Sequence, residues 1–280
     1  MSSDTIPAAI LLAQARGATV PSINAFGKIR MKRRWQLVGL LCATATASYL
    51  CRVNISVAGA LLMGEFGLSQ IEMGRVFSAF LVGYALFQIP GGMLADRWGA
   101  RRILILSAWW WVLATVLQAT VGWGPLRAAS SAAVPILLVL RFVLGVGEAP
   151  TFPGAAQGVA RWIPPEHQGR ANGLVLAAIG LGSAVAPPLL SATMVRWGWR
   201  AALLVSALPA LTVALVWTSM GEHASRADAP ARPETKTPNR MAQGCTSLRA
   251  PGFLLLTASY TLQGYVGYIF VFWFYLYLIQ

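Results

Sequence analysis

The sequence predicts an all-α membrane protein, and three observations carry that prediction. Of its 280 residues, 56% are hydrophobic and 11% are charged, where a soluble domain carries about 25% charged residues. The apolar residues gather into long continuous runs at 35–62, 73–95, 103–123, 134–160, 171–194, 201–220 and 251–279. A helix needs roughly 20 such residues to cross a bilayer. The basic residues fall in the gaps between these runs and sort by side. Lipid cannot satisfy backbone N–H and C=O groups, so only helices or a closed barrel span it, and runs this long and continuous are helices.

The first run follows a basic lead. Lys28, Arg30, Lys32, Arg33 and Arg34 precede Trp35, and Ala45-Thr46-Ala47 could serve as a signal-peptide cleavage site. The run continues past Ala47 to about Met63, however, and further spans follow, which predicts an uncleaved first span. Sixteen Lys and Arg residues fall in the lead and in the connections after spans 2, 4 and 6. Four fall on the other side, namely Arg75, Arg127, Arg196 and Arg200, while Arg52 and Arg141 lie inside spans. By the positive-inside rule the amino terminus is cytoplasmic.

The net charge of +13 would suit a nucleic-acid partner. No basic stripe is interleaved with aromatics, so nucleic acid is excluded and the basic residues are read as topology signals. The expected organisation is a cytoplasmic lead at 1–34 and a six-span half at 35–220. A cytoplasmic linker rich in Pro, Ala, Arg and Thr follows at 221–250, and a seventh span at 251–280. One span cannot form a second half, so the chain is expected to be truncated after span 7.

The chemistry concentrates in span 4, where residues 140–150 read LRFVLGVGEAP. Arg141 and Glu148 are seven residues apart, which puts them on one helix face about 10 Å apart, with Gly145 between them leaving room for something to approach. A charge at membrane depth is costly and usually faces a cavity or a partner. Arg52 lies about 25 Å along span 1 from its cytoplasmic end, and Arg141 about 30 Å along span 4 from Arg161, so their depths are comparable. Two guanidinium groups and one carboxylate leave an excess of positive charge that an anion would balance, and arginine forks suit carboxylates. Glu148 is the only carboxylate placed inside a span. Burial favours its neutral form and the two arginines its charged form.

Other reactive side chains point elsewhere. Cys42 and Cys51 are nine residues apart on one span, too far to bridge, and Cys245 lies in a polar connection. His167 and His223 read as solvated residues in connections. There is no metal-ligand spacing and no nucleophile–base pair, so neither a metal nor an enzyme is expected. Trp109, Trp110 and Trp111 read as packing. Gly180, Gly182, Pro187 and Pro188 give span 5 close contacts and a bend.

The connection between spans 2 and 3 reads Gly92-Met93-Leu94-Ala95-Asp96-Arg97-Trp98-Gly99-Ala100-Arg101-Arg102. It resembles the signature loop of the major facilitator superfamily, with every defined position matched. The resemblance implies the major facilitator fold, here a complete six-helix amino-terminal half plus the first helix of the second half. It also implies that Gly92, Asp96, Arg97, Gly99, Arg101 and Arg102 form a conformational latch, with Asp96 accepting from arginines and helix N–H groups. A narrower resemblance, to the anion:cation symporter family, rests on YLCRVNISVA at 49–58, FSAFLVGYALFQIPGG at 77–92, the span 4 residues from Arg141 to Pro153, RWIPPE at 161–166, and FWFYLY at 272–277. It implies a symporter of organic anions such as sugar acids, monomeric when full length, in a bacterial inner (plasma) membrane, with H+ as coupling ion and no cofactor.

By that resemblance Arg52 and Arg141 bind the substrate carboxylate, Glu148 takes the proton, and the hydroxyls of Tyr49 and Tyr84 line the site. Many sugar-acid symporters carry Asp directly before the span 1 arginine. Here that position is Cys51, which leaves the coupling ion and its stoichiometry open. Drug efflux is disfavoured, because span 5 reads GLGSAVAPPLL where drug antiporters carry G-P-x-x-G-G. An anion sensor would need a signalling domain, and the sequence has none. A non-functional remnant is the remaining alternative.

Overall fold

The computed structural model describes residues 23–122, 130–220, 251–274 and 277, and all regular structure among them is helical. The helices are α1 Ile23–Phe66, α2 Gln70–Trp98, α3 Ala100–Ala119, α4 Ser130–Glu148, α5 Thr151–Trp162, α6 Pro165–Ser219 and α7 Pro251–Ile269, which ends in a π-helical turn, Phe270–Phe274. Most of the lead, the linker at 221–250 and Cys245 lie outside the described residues. The described end of the lead is helical and continuous with span 1.

Three expected spans differ in detail. Spans 5 and 6 form one 55-residue element, α6, about 80 Å at 1.5 Å per residue and far longer than one crossing. The chain breaks at Gly198, whose φ of 80° and ψ of 172° are not helical. A left-handed φ suits glycine, so two crossings meet at this residue. Span 4 is not one continuous helix but α4 and α5, parted at Ala149–Pro150 immediately after Glu148. Pro150 and Pro153 have no N–H to give to the preceding turn, and the ladder fails there. Including both halves of α6, seven crossings are described, as the apolar runs predict.

The core of the six-span half is built on two long partnerships, α1 with α6 and α2 with α4; α3 also packs along α6. The α2–α4 contact is a backbone approach. A Cβ on Gly83 would strike the Phe142 carbonyl oxygen, and one on Gly145 the Phe80 carbonyl oxygen and the Tyr84 nitrogen. Small residues let membrane helices pack this closely. The room that Gly145 leaves is thus taken by α2.

The ends are tied by polar contacts. Ser69 and Glu72 form a capping box at the start of α2. At the C-terminal end of α1, Glu65 accepts from Arg200 Nη2 at 2.6 Å and from Trp199 Nε1 at 2.6 Å, while Arg200 Nη2 also donates to the Val121 carbonyl at 3.1 Å. This joins α1, the end of α3 and the second half of α6. Both charged side chains are about a third exposed, so solvent screens the pair. Glu65→Ala is expected to cost about 1 kcal/mol, a fall of roughly 2–4 °C in the melting temperature followed by thermal unfolding in detergent.

His167 departs from its expected setting. It lies in the first turn of α6 with its ring 6.2 Å from that of Trp35, and is not a free loop side chain.

Candidate functional site

The three intramembrane charges converge. Arg52, Arg141 and Glu148 are 1%, 0% and 0% exposed. Arg52 Nε donates to Glu148 Oε1 at 3.0 Å, and Nη2 lies 2.7 Å from the same oxygen. The face shared by Arg141 and Glu148 is as expected, but the carboxylate pairs with the arginine of α1 across the bundle. Arg141 Nη2 donates to the Arg52 backbone carbonyl at 3.0 Å. Helical spacing gives neighbours along α4; it cannot give the partner that α1 presents from the side.

Aromatic groups surround the pair. Arg52 Nη1 donates to the Tyr49 hydroxyl at 3.2 Å and to the Tyr268 hydroxyl at 3.2 Å. Its guanidinium carbon lies 4.6 Å from the Tyr49 ring centre, 4.7 Å from that of Tyr84 and 5.1 Å from that of Phe80. The guanidinium of Arg141 lies 5.0 Å from the same Phe80 ring. A desolvated cation gains from such ring faces, by about 2 kcal/mol or more. The structure therefore brings Tyr49, Arg52, Tyr84, Arg141 and Glu148 together. Phe80 and Tyr268 are further members that sequence reasoning missed. Phe80 could have been found as the residue one turn before Tyr84 on the same face of α2. Tyr268 lies on α7, and no pattern within α7 ties it to Arg52.

Span 7 reaches the site through stacked rings. Tyr268 stacks on Phe272 with centroids 5.9 Å apart, and Phe272 on Phe77 of α2 at 5.1 Å. Trp273 meets Phe77 edge-on at 5.7 Å and lies over Gly74. Trp110 and Trp111 act in packing, as expected, and also as donors. Trp110 Nε1 bonds the Val143 carbonyl at 2.7 Å and Trp111 Nε1 the Gly147 carbonyl at 3.3 Å, which fixes the end of α4 that carries Glu148.

The signature loop lies at the opposite end of α2. Gly99 has φ 84° and separates α2 from α3, a turn that suits glycine. Asp96 accepts from Gln157 Nε2 of α5 at 3.0 Å, a partner other than the expected arginines. Arg101 donates to the carbonyls of Trp217, Thr218 and Met220, capping the C-terminal end of α6. Gly92 lies near Pro153, and Arg97 and Arg102 are exposed on the same loop. These contacts tie α2 and α3 to α5 and α6 within the six-span half.

Comparison with known proteins gives the family. Residues 40–280 match the Major Facilitator Superfamily. The chain belongs to that superfamily. "Probable sulfoacetate transporter SauU" of Cupriavidus necator is 39% identical over 191 residues, which is 68% of this chain and 41% of that protein. "Probable galactarate/D-glucarate transporter GudP" of Bacillus subtilis is 32% identical, over 70% of this chain and 42% of that protein. The chain thus spans about two fifths of the length of the curated relatives it matches. A bacterial homologue of the human lysosomal transporter Spinster, solved in an inward-facing unoccupied conformation, superposes with TM-score 0.70 at 23% identity. The match covers 88% of this chain and 56% of that one. A D-xylose–proton symporter gives 0.59 at 16% identity, over 84% and 60%. At these identities the two structures establish the major facilitator fold. The relatives' names are those of organic-anion transporters, in keeping with the narrower resemblance.

Proposed function

We propose that this chain carries the anion and proton site of a secondary transporter that moves an organic acid together with H+ across a bacterial inner membrane. One observation carries the reading. A fully buried Arg52–Glu148 pair lies beside a second buried guanidinium, Arg141, and leaves one positive charge unbalanced at membrane depth. A carboxylate or sulfonate entering this site would neutralise that charge and find arginine donors suited to a planar or tripodal anion. The relatives named for sulfoacetate and for galactarate/D-glucarate support this substrate class.

In the proposed cycle the anion takes the donors of Arg52 that now face Tyr49, Tyr268 and Glu148, together with donors of Arg141 that have no partner. Glu148 then loses its counter-ion while still buried. A buried carboxylate without a cation takes up a proton, so anion and proton enter together. The loop from Gly92 to Arg102 acts as the latch between conformations.

The test is uptake into cells or liposomes by the intact carrier, with labelled sulfoacetate, D-glucarate, galactarate and a neutral sugar such as xylose. Saturable uptake of one of the acids, driven by an inward proton gradient, is expected. Uptake of the neutral sugar alone would refute the reading. The proposed orientation, with the amino terminus inside, places residue 130 outside. Ser130→Cys should react with an impermeant maleimide added to intact cells, and protection there with labelling from the cytoplasmic face would reverse the topology.

A further inference from the structure

Several buried polar groups have no task in the cycle above. Asn54 Oδ1, Thr115 Oγ1 and Gln118 Oε1 are shut off from solvent and have no hydrogen-bond partner among the described residues. Thr115 lies beside the Cys51 thiol. Spans 1 and 3 run in the same direction, being joined through the single antiparallel helix α2. Asn54 and Gln118 each follow by three residues, so both sit one turn further on the facing sides of α1 and α3. Ser206 of α6 closes the seam: Asn54 Nδ2 donates to its hydroxyl at 2.9 Å and Cys51 Sγ to its carbonyl at 3.4 Å.

The seam leads to the charged site. Cys51 lies within electrostatic reach of both Glu148 and Arg141, and Ser48 lies beside the Glu148 carboxyl. Arg52 occupies Glu148 Oε1, whereas Oε2 is buried without a partner, as are Arg141 Nε and Nη1. The unpartnered atoms include both donors and acceptors. Buried polar atoms are costly without hydrogen bonds, and a buried water makes about three.

We propose that spans 1, 3, 4 and 6 hold a row of ordered water molecules from Glu148 Oε2 past Cys51 and Thr115 to Asn54 and Gln118, and that this row brings the proton to Glu148. The inference rests on the reading of Glu148 as the proton acceptor. A water beside Oε2 gives its proton to that oxygen and receives one from the next water, so one O–H bond forms on the carboxyl for one proton entering the row. Sodium fits the same oxygens poorly, because Arg141 presents free donors and positive charge at the near end. Arg52, which bonds Oε1, also donates to the Tyr49 and Tyr268 hydroxyls and lies against the Tyr84 ring, so these groups reach Glu148 through Arg52.

The test uses the intact carrier in liposomes with labelled D-glucarate or sulfoacetate. Thr115→Val with Gln118→Met removes two of the oxygens at nearly constant volume. The initial rate of uptake driven by a pH step should fall about tenfold while counterflow exchange at equal pH stays within about twofold. Thr115→Ser alone should keep the wild-type rate. Wild-type pH-driven uptake in the double variant would overturn the proposal, as would loss of exchange along with uptake, which marks a packing role. Uptake driven by a sodium gradient and abolished by the same variant would assign the oxygens to sodium and overturn it too. Glu148→Gln distinguishes the two readings: pH-driven accumulation by that variant refutes the coupling role itself, whereas its loss beside an unaffected double variant refutes only the water row.

Discussion

Arg52→Lys is expected to raise the Kd for the transported anion about a hundredfold, although the charge is kept, because truncating a buried hydrogen-bonded charge costs several kcal/mol. The reason lies in the fork. Arg52 serves Glu148 through Nε and Nη2 and the Tyr49 and Tyr268 hydroxyls through Nη1. An ammonium is a point charge with three donors and cannot present a planar pair to a carboxylate while facing these rings. Binding to the purified carrier, followed by calorimetry or tryptophan fluorescence, reads the effect. Normal affinity in Arg52→Lys would make the arginine structural and place the anion elsewhere.

Glu148→Gln separates binding from coupling. Gln mimics the protonated acid, keeping volume and a carbonyl oxygen for Arg52 while removing the titrating group. The variant is expected to exchange anion across the membrane and to lose accumulation driven by a pH step. Cys51 stands where an aspartate would give a second acid, and its thiol is buried and bonded to the Ser206 carbonyl. A buried thiol tends to stay protonated, so Cys51 does not substitute. The expected stoichiometry is accordingly lower than in relatives with that aspartate. Gradient-driven accumulation by Glu148→Gln at the wild-type level would remove Glu148 from the mechanism.

Much of the fold was legible because the bilayer makes hydropathy nearly a direct reading of the spans. What hydropathy does not encode is where one helix stops inside an apolar stretch. The break at Ala149–Pro150 comes from two missing N–H donors, and the turn at Gly198 comes from a φ open to glycine; both lie within sequence that reads as helix. The candidate site was legible in its charges, since Arg52, Arg141 and Glu148 are conspicuous in lipid. Its pairing was not. Glu148 turns to Arg52 because α1 presents that side chain across the bundle, whereas Arg141 stays over Phe80 and bonds a backbone carbonyl. Asp96 likewise found an amide, Gln157, where an arginine was expected. Tyr268 could be placed only once α7 was set against α2 by the Tyr268–Phe272–Phe77 stack.

The central claim is that anion and proton divide one buried ion pair between them, the anion taking Arg52 and the proton Glu148, so binding one draws in the other. Linkage of this kind is read directly as protons taken up on adding the anion to purified carrier in weakly buffered solution. With D-glucarate or sulfoacetate, whichever the uptake panel selects, the wild type should take up about one proton per anion bound, and Glu148→Gln should take up none while still binding. Anion binding without proton uptake in the wild type, or equal uptake by Glu148→Gln, would contradict the account.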